Sequence, residues 1–190
     1  MDHIKASENP GKQVPDGAPR EPAGAVVRGL ERLELDFLAY QPSNIIAPII
    51  EHFLNLSDGH GPTMLLASRE EEAVGIIGGV LLAGKSGAIV MQDNGFGNSL
   101  TALTTFAVAY HLPLLIVANT RGGLGEYNSM IHTFSSHVPA LLANLDLAIF
   151  TLDRTHSLSD WEATIEEAGR HAVGTYRPVV VLMEFWGKGE

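Results

Sequence analysis

The sequence has no cysteine among its 190 residues. That excludes a disulfide framework, a thiol nucleophile and any zinc site built on thiolates. Basic residues are scarce as well: 12 Lys and Arg stand against 22 Asp and Glu, a formal net charge of -10. Such a balance argues against a general nucleic-acid binder, which needs a basic footprint. It also makes an anionic substrate depend on a few placed cations. No apolar run reaches the ~18 residues of a membrane span, and the polar N-terminus does not have the layout of a secretory signal. The G-x-S-x-G pattern of an α/β-hydrolase nucleophile elbow is missing too. The expectation is a cytoplasmic protein without a nucleic-acid or membrane partner.

What is present suffices for one core, since 45% of the residues are hydrophobic. Residues 1–25 hold four of the ten prolines, three glycines and alternating charges, and read as a flexible N-terminal tail. The folded domain is expected over 26–190. Val26, Val27, Leu30 and Leu33 recur at helical spacing and predict a helix over 26–35, followed by a short strand over 36–40. Ser43 is placed to cap a second helix carrying Ile45, Ile46, Ile49, Ile50, Phe53 and Leu54. Pro48 suits that helix only if the helix starts later. Further strands are expected at 63–67, 87–92, 112–119, 148–152 and 178–184. Helices are expected at 69–83, 98–110, 138–143 and 157–173, with a polar loop over 120–136. Strands that alternate with helices and lack a polar face predict an α/β fold: a three-layer sandwich around a mostly parallel central sheet.

The stretch from 67 to 99 organises the chain. Glu70, Glu71 and Glu72 open a helix where its positive dipole end favours carboxylates. Residues 73–83 carry no charge, which predicts a helix covered on most sides. Gly75, Gly78 and Gly79 each cost roughly 0.8–1.0 kcal/mol relative to Ala inside a helix, a cost that close approach of another backbone or a subunit explains. Gly79 to Ser86 satisfies G-x-x-x-x-G-K-[ST] literally. A phosphate loop, however, follows a strand and opens a helix, and here the order is reversed. Met91 to Ser99, rich in Gly and Asn, follows a buried strand and leads into a helix, the place where open α/β sheets bind ligands. Asn119 to Glu126 sits similarly after the next buried strand, with Arg121 beside flexible glycines. His132 and His137 are either pH-active groups or anion contacts, or plain surface residues; with no zinc signature, no metal ligand is assigned to this chain. Trp161 and Trp186 are read as packing residues.

Arg69-Glu70-Glu71-Glu72-Ala73-Val74-Gly75, Ala83-Gly84-Lys85 and Met91-Gln92-x-x-Gly95-x-Gly97-Asn98-Ser99 resemble the pyrimidine-binding domain of thiamine diphosphate-dependent decarboxylases. The resemblance is strongest to the sulfopyruvate decarboxylase alpha subunit and the matching half of phosphonopyruvate decarboxylase. It extends over roughly 28–185 and includes Tyr40-Gln41-Pro42-Ser43 and Leu112-Pro113-Leu114-Leu115. It implies that Glu70 is the catalytic, cofactor-binding glutamate that hydrogen-bonds the aminopyrimidine ring, with Pro42, Ser43 and Gly95 also at the cofactor. That role needs a carboxyl group able to carry a proton, a state that burial at a subunit interface favours. Gln92, Asn94 and Asn98 are implied on the substrate side, and Arg121 with His132 or His137 at the anionic end of a small 2-oxo acid.

Two departures stand out. The family carries Gln-Asn-Ser-Gly-Leu-Gly-Asn where this chain has Gln92-Asp93-Asn94-Gly95-Phe96-Gly97-Asn98. Asp93 thus adds negative charge where an anionic substrate is expected, and Phe96 enlarges an apolar residue. The Gly-Asp-Gly…Asn motif that holds Mg2+ and the diphosphate is absent, since Ser57-Asp58-Gly59-His60 lacks the first glycine. The resemblance therefore implies a hetero-oligomer whose beta subunit carries that motif and the Mg2+. A thiamine-dependent carboligase subunit of the same fold and a non-catalytic binding or regulatory module remain as alternatives.

Overall fold

The computed structural model describes residues 20–56, 59–123, 126–145 and 147–185. Six strands, β1 (Phe37–Tyr40), β2 (Thr63–Leu66), β3 (Gly87–Gln92), β4 (Leu115–Asn119), β5 (Ala148–Leu152) and β6 (Val179–Met183), form one sheet in the order β2-β1-β3-β4-β6-β5. All five pairings are parallel. The central strands β4 and β6 are buried throughout, and β3 up to Met91. Both their faces are covered, so they read as unbroken apolar runs rather than alternating ones.

Alternation along the strands builds two cores. Ala88, Val90, Leu115, Val117, Val179 and Val181 face α1 (Arg20–Glu31), α2 (Ala47–Leu54) and α7 (Leu158–Thr175). Ile89, Met91, Ile116, Ala118, Val180 and Leu182 face α3 (Glu70–Leu82), α4 (Phe96–Ala102) and α6 (Val138–Ala143). The result is the expected three-layer α/β sandwich. Trp161 is a packing residue: fully buried, its ring centroid 5.2 Å from that of Phe185, it donates through Nε1 to the Asp153 carbonyl at 3.2 Å. Trp186, Ser57, Asp58 and residues 1–19 lie outside the described residues.

Several boundaries differ from the sequence reading, each for a local reason. Helix α1 begins at Arg20, so residues 20–25 belong to a helix and not to the tail. Pro22 stands in its first turn, where a missing N–H is tolerated, and is buried there together with the small Ala23 and Ala25. Helix α2 begins at Ala47 with Ile46 as N-cap and Pro48 in the first turn, so Ser43 caps nothing and its hydroxyl is used elsewhere. After β3 a 3-10 turn (Asp93–Gly95) runs straight into α4 at Phe96, and the helix continues through a wider π-helical turn over Leu103–Val108. The region 120–136 contains a helix, α5 (Ser129–Ser135), because the Asn128 side chain caps it by accepting from the Met130 N–H. Gly79 to Leu82 are the last residues of α3, and Gly84 turns out of it with φ +74, so no phosphate cradle exists there.

Candidate active site

From β1 the chain winds outward to β2, whereas β3 lies on the other side of β1. The carboxyl ends of β1 and β3 thus flank a topological switch point, where loops diverge and leave a crevice. Segment 41–46 enters it after β1, Ser68–Glu70 after β2, and 92–99 after β3. Gln41 Nε2 donates to the Ser68 carbonyl at 3.1 Å, tying the first segment to the second. Ser43 Oγ donates to Gln92 Oε1 at 3.1 Å, bridging the first to the third.

Glu70 is the first residue of α3. Glu72 accepts from the Ser68 N–H at 2.6 Å and closes the helix start, which fixes where Glu70 projects. The Glu70 side chain lies against Gly95: a Cβ on residue 95 would stand 2.4 Å from Glu70 Cγ and 2.9 Å from Oε1. Gly95 itself has φ -62 and ψ -20, an ordinary helical conformation, so glycine is required here for space and not for backbone freedom. Asn98 Nδ2 donates to Glu70 Oε2 at 2.9 Å. Oε1 is left without a hydrogen bond to any described residue. Arg69 completes this group, with Nη2 3.5 Å from Asn98 Oδ1 and Nε donating to Glu71 Oε1 at 3.0 Å.

A second network centres on Gln92. Its Oε1 accepts from Ser43 and from Arg121 Nη1 at 3.4 Å, and its Nε2 donates to Asn94 Oδ1 at 2.9 Å. The structure thus brings Glu70, Gly95 and Asn98 together in one group and Ser43, Gln92, Asn94 and Arg121 in another. Pro42 is exposed in the segment between Gln41 and Ser43. His132 and His137 are exposed too, and neither ring bonds a described residue.

Asp93 does not face the crevice, contrary to the sequence reading. It is fully buried, its Oδ2 accepting from the Arg121 N–H at 2.8 Å and its Oδ1 from Ser135 Oγ at 2.7 Å. Burial pushes its carboxyl above the ordinary value, against the opposing pull of those hydrogen bonds. The carboxylate that looked like an obstacle to an anion is the clamp that ties Arg121 and Ser135 to the end of β3. Phe96 is likewise core, fully buried. The Arg121 guanidinium is engaged inside the protein: Nε donates to Glu126, whose other oxygen accepts from the Asn128 N–H at 2.7 Å. Burial alone would raise the Glu126 carboxyl, but the hydrogen bonds from Arg121 and Asn128 prevail and hold it below its ordinary value.

Sequence reasoning gave no individual role to Gln41, Arg69, Glu126 and Ser135, whose parts depend on partners elsewhere in the chain. It also passed over Asn119, the last residue of β4 and the register partner of Gln92. Asn119 is fully buried with neither amide atom bonded to a described residue, a rare condition for a native side chain. The only sequence signal for it was a polar residue closing an otherwise apolar strand.

No protein-family model matches the chain. It is 33% identical over 165 residues to the sulfopyruvate decarboxylase subunit alpha of Methanothermobacter thermautotrophicus, covering 85% of this chain and 96% of that one. It is 25% identical over 123 residues to the phosphonopyruvate decarboxylase of Streptomyces viridochromogenes, covering 65% of this chain and 30% of the longer relative. Among solved structures, 2-oxoglutarate:ferredoxin oxidoreductase from Magnetococcus marinus superposes with a TM-score of 0.65 at 17% identity, over 86% of this chain and 28% of that one. That likeness shows the fold. The first shows more: a third of the aligned residues are identical and nearly the whole relative is spanned, so the chain belongs to the family of sulfopyruvate decarboxylase alpha subunits.

Proposed function

We propose that the chain is the pyrimidine-binding alpha subunit of a thiamine diphosphate-dependent carboxy-lyase. Its substrate is a small anionic 2-oxo acid of the sulfopyruvate or phosphonopyruvate kind. The observation that carries the reading is Glu70: a carboxylate at the switch-point crevice, gripped through one oxygen by Asn98 and without a partner among the described residues at the other. Such a carboxylate oxygen beside closely approached backbone suits the ring nitrogen of an aminopyrimidine, so the residues present fit the cofactor. Bound thiamine diphosphate supplies a nucleophilic carbon and a sink for the electrons left when carbon dioxide departs.

The chain's own residues bind and orient. Glu70 holds a proton at Oε1 toward the ring nitrogen, and Asn98 keeps the carboxylate from rotating. Gly95 leaves the room that Glu70 fills, while Pro42 and Ser43 flank the cofactor from the β1 side. Gln92, Asn94 and Asn98 face the substrate, with the two histidines, His132 and His137, behind them toward its anionic end, while Arg121, held by Glu126, orients Gln92. The diphosphate and its Mg2+ belong to a beta subunit carrying Gly-Asp-Gly and a downstream Asn. No helix among the described residues is long and apolar enough to cross a membrane. Cytoplasmic placement and the lack of a nucleic-acid partner are part of the proposal.

The test is co-purification of the tagged chain with its partner, followed by carbon dioxide release from sulfopyruvate and phosphonopyruvate by the complex. A stoichiometric partner bearing the diphosphate motif and turnover of either acid are expected. Glu70→Gln should abolish turnover and leave assembly intact. Full turnover by that variant overturns the reading.

A further inference from the structure

The two cations at the carboxyl edge near the crevice, Arg69 and Arg121, are in opposite states. Arg121 is 11% exposed at its side chain and paired with Glu126, which is 2% exposed. Its charge is cancelled by a buried neighbour, and withdrawing it would leave the Glu126 carboxylate stranded. Asp93 accepts from its backbone N–H, so the residue cannot advance as a unit either. Arg69 is 61% exposed and its partner Glu71 is 47% exposed. An exposed pair of this kind contributes little and is readily exchanged for another anion. The Arg69 guanidinium also stands over the working end of the site: Nη2 reaches Asn98, and Asn98 holds Glu70.

We infer that Arg69, rather than Arg121, receives the sulfonate-like or phosphonate-like end of the substrate and so sets the preference for a second anionic group. The inference rests on the functional reading above. Arg69 exchanges Glu71 for the incoming anion, keeping its fork over Asn98, while Arg121 stays locked to Glu126 and serves to orient Gln92. A guanidinium suits this task, since its planar fork bonds two oxygens of a tetrahedral anion at once. On a chain of net charge -10 a cation at the crevice whose only ion pair is this exchangeable one discriminates between a dianion and a monoanion.

The test uses the complex with its partner subunit. Arg69→Gln should raise KM for sulfopyruvate roughly 10- to 100-fold, with a much smaller rise for pyruvate, which lacks the second anionic group. Arg69→Lys should restore part of the difference. Equilibrium binding of 3-sulfopropanoate, which lacks the 2-oxo group, should weaken by a similar factor and lose most of its dependence on ionic strength. Equal KM changes for the two acids in an active complex overturn the role of Arg69 and leave the functional reading standing. A complex that decarboxylates neither acid yet binds 3-sulfopropanoate through Arg69 overturns the functional reading and keeps the anion site. Unchanged 3-sulfopropanoate binding in Arg69→Gln overturns the inference outright.

Discussion

Glu70 and Gly95 share one volume: the carboxylate side chain lies where a Cβ on residue 95 would be, with 2.4 Å between that position and Glu70 Cγ. Because Gly95 has ordinary helical angles, alanine is compatible with its backbone and fails only against Glu70. Gly95→Ala should therefore leave the fold intact and displace the carboxylate from its bond with Asn98. A displacement of about 1 Å at a reacting group lowers turnover on the order of 100-fold. Turnover of the complex, compared with the circular dichroism and melting temperature of the variant chain, checks this. Wild-type turnover would show that Glu70 does not need its present position.

Asp93 accepts from the Arg121 N–H and from the Ser135 hydroxyl, and these two donors differ in what they tolerate. The Arg121 N–H can only donate, whereas the Ser135 hydroxyl can turn and accept. Asp93→Asn can satisfy both, so it should cost little. Asp93→Leu strands a buried N–H and a buried hydroxyl, each worth about 1–3 kcal/mol. Urea melts of the two variants give the ranking, and amide exchange at Arg121 locates the loss. The carboxyl is raised by burial, so the folded state holds its proton more tightly than the unfolded chain does. This group accordingly adds stability as pH falls through its raised value, and Asp93→Asn should abolish that gain.

The sheet and the place of Glu70 are legible in the sequence because both rest on local patterns. Unbroken apolar runs at 87–91, 114–118 and 179–183 mark strands covered on two faces, and acids before an uncharged helical stretch mark the α3 start. The direction of Asp93 is not legible. A side chain in the turn after a strand can face crevice or loop, and here a hydroxyl 42 residues further on decides it. The engagement of Arg121 by Glu126 depends in the same way on where Glu126 and its own donor Asn128 fall in space. The α1 start escapes the pattern because a proline and two alanines do the burying.

Glu126 behaves opposite to Asp93 on acidification. Its carboxyl is held below its ordinary 4.5, through the Arg121 and Asn128 bonds acting against burial. Its contribution is fully present above 4.5 and lost as pH falls through the lowered folded value. Glu126→Gln should destabilise the chain at neutral pH by roughly 3–5 kcal/mol, since the Arg121 guanidinium stays buried without its counter-charge. The same variant should lack the acid-side loss that the parent shows. Melting temperatures of both proteins at pH 7 and across the acidic range check the sign; coincident curves would mean that the pair contributes nothing.

The glycines of α3 divide into two kinds. A Cβ on Gly78 would stand 2.2 Å from Phe106 Cε1, whereas Gly75 and Gly79 have nothing within 4 Å and are exposed. Gly78→Ala gains roughly 0.8–1.0 kcal/mol of helix propensity but overpacks the helix against Phe106, at about 1–3 kcal/mol, so it should destabilise the chain. Gly75→Ala and Gly79→Ala gain the propensity with no clash and should each raise the melting temperature of the isolated chain. Two open glycines a helical turn apart, with Leu82 exposed further along the helix, let a partner backbone come close. The double variant Gly75→Ala, Gly79→Ala should thus be more stable alone and weaker in assembly, by roughly tenfold in partner affinity if overpacking costs ~1.4 kcal/mol. Stabilisation with unchanged affinity would move the subunit interface off this face of α3.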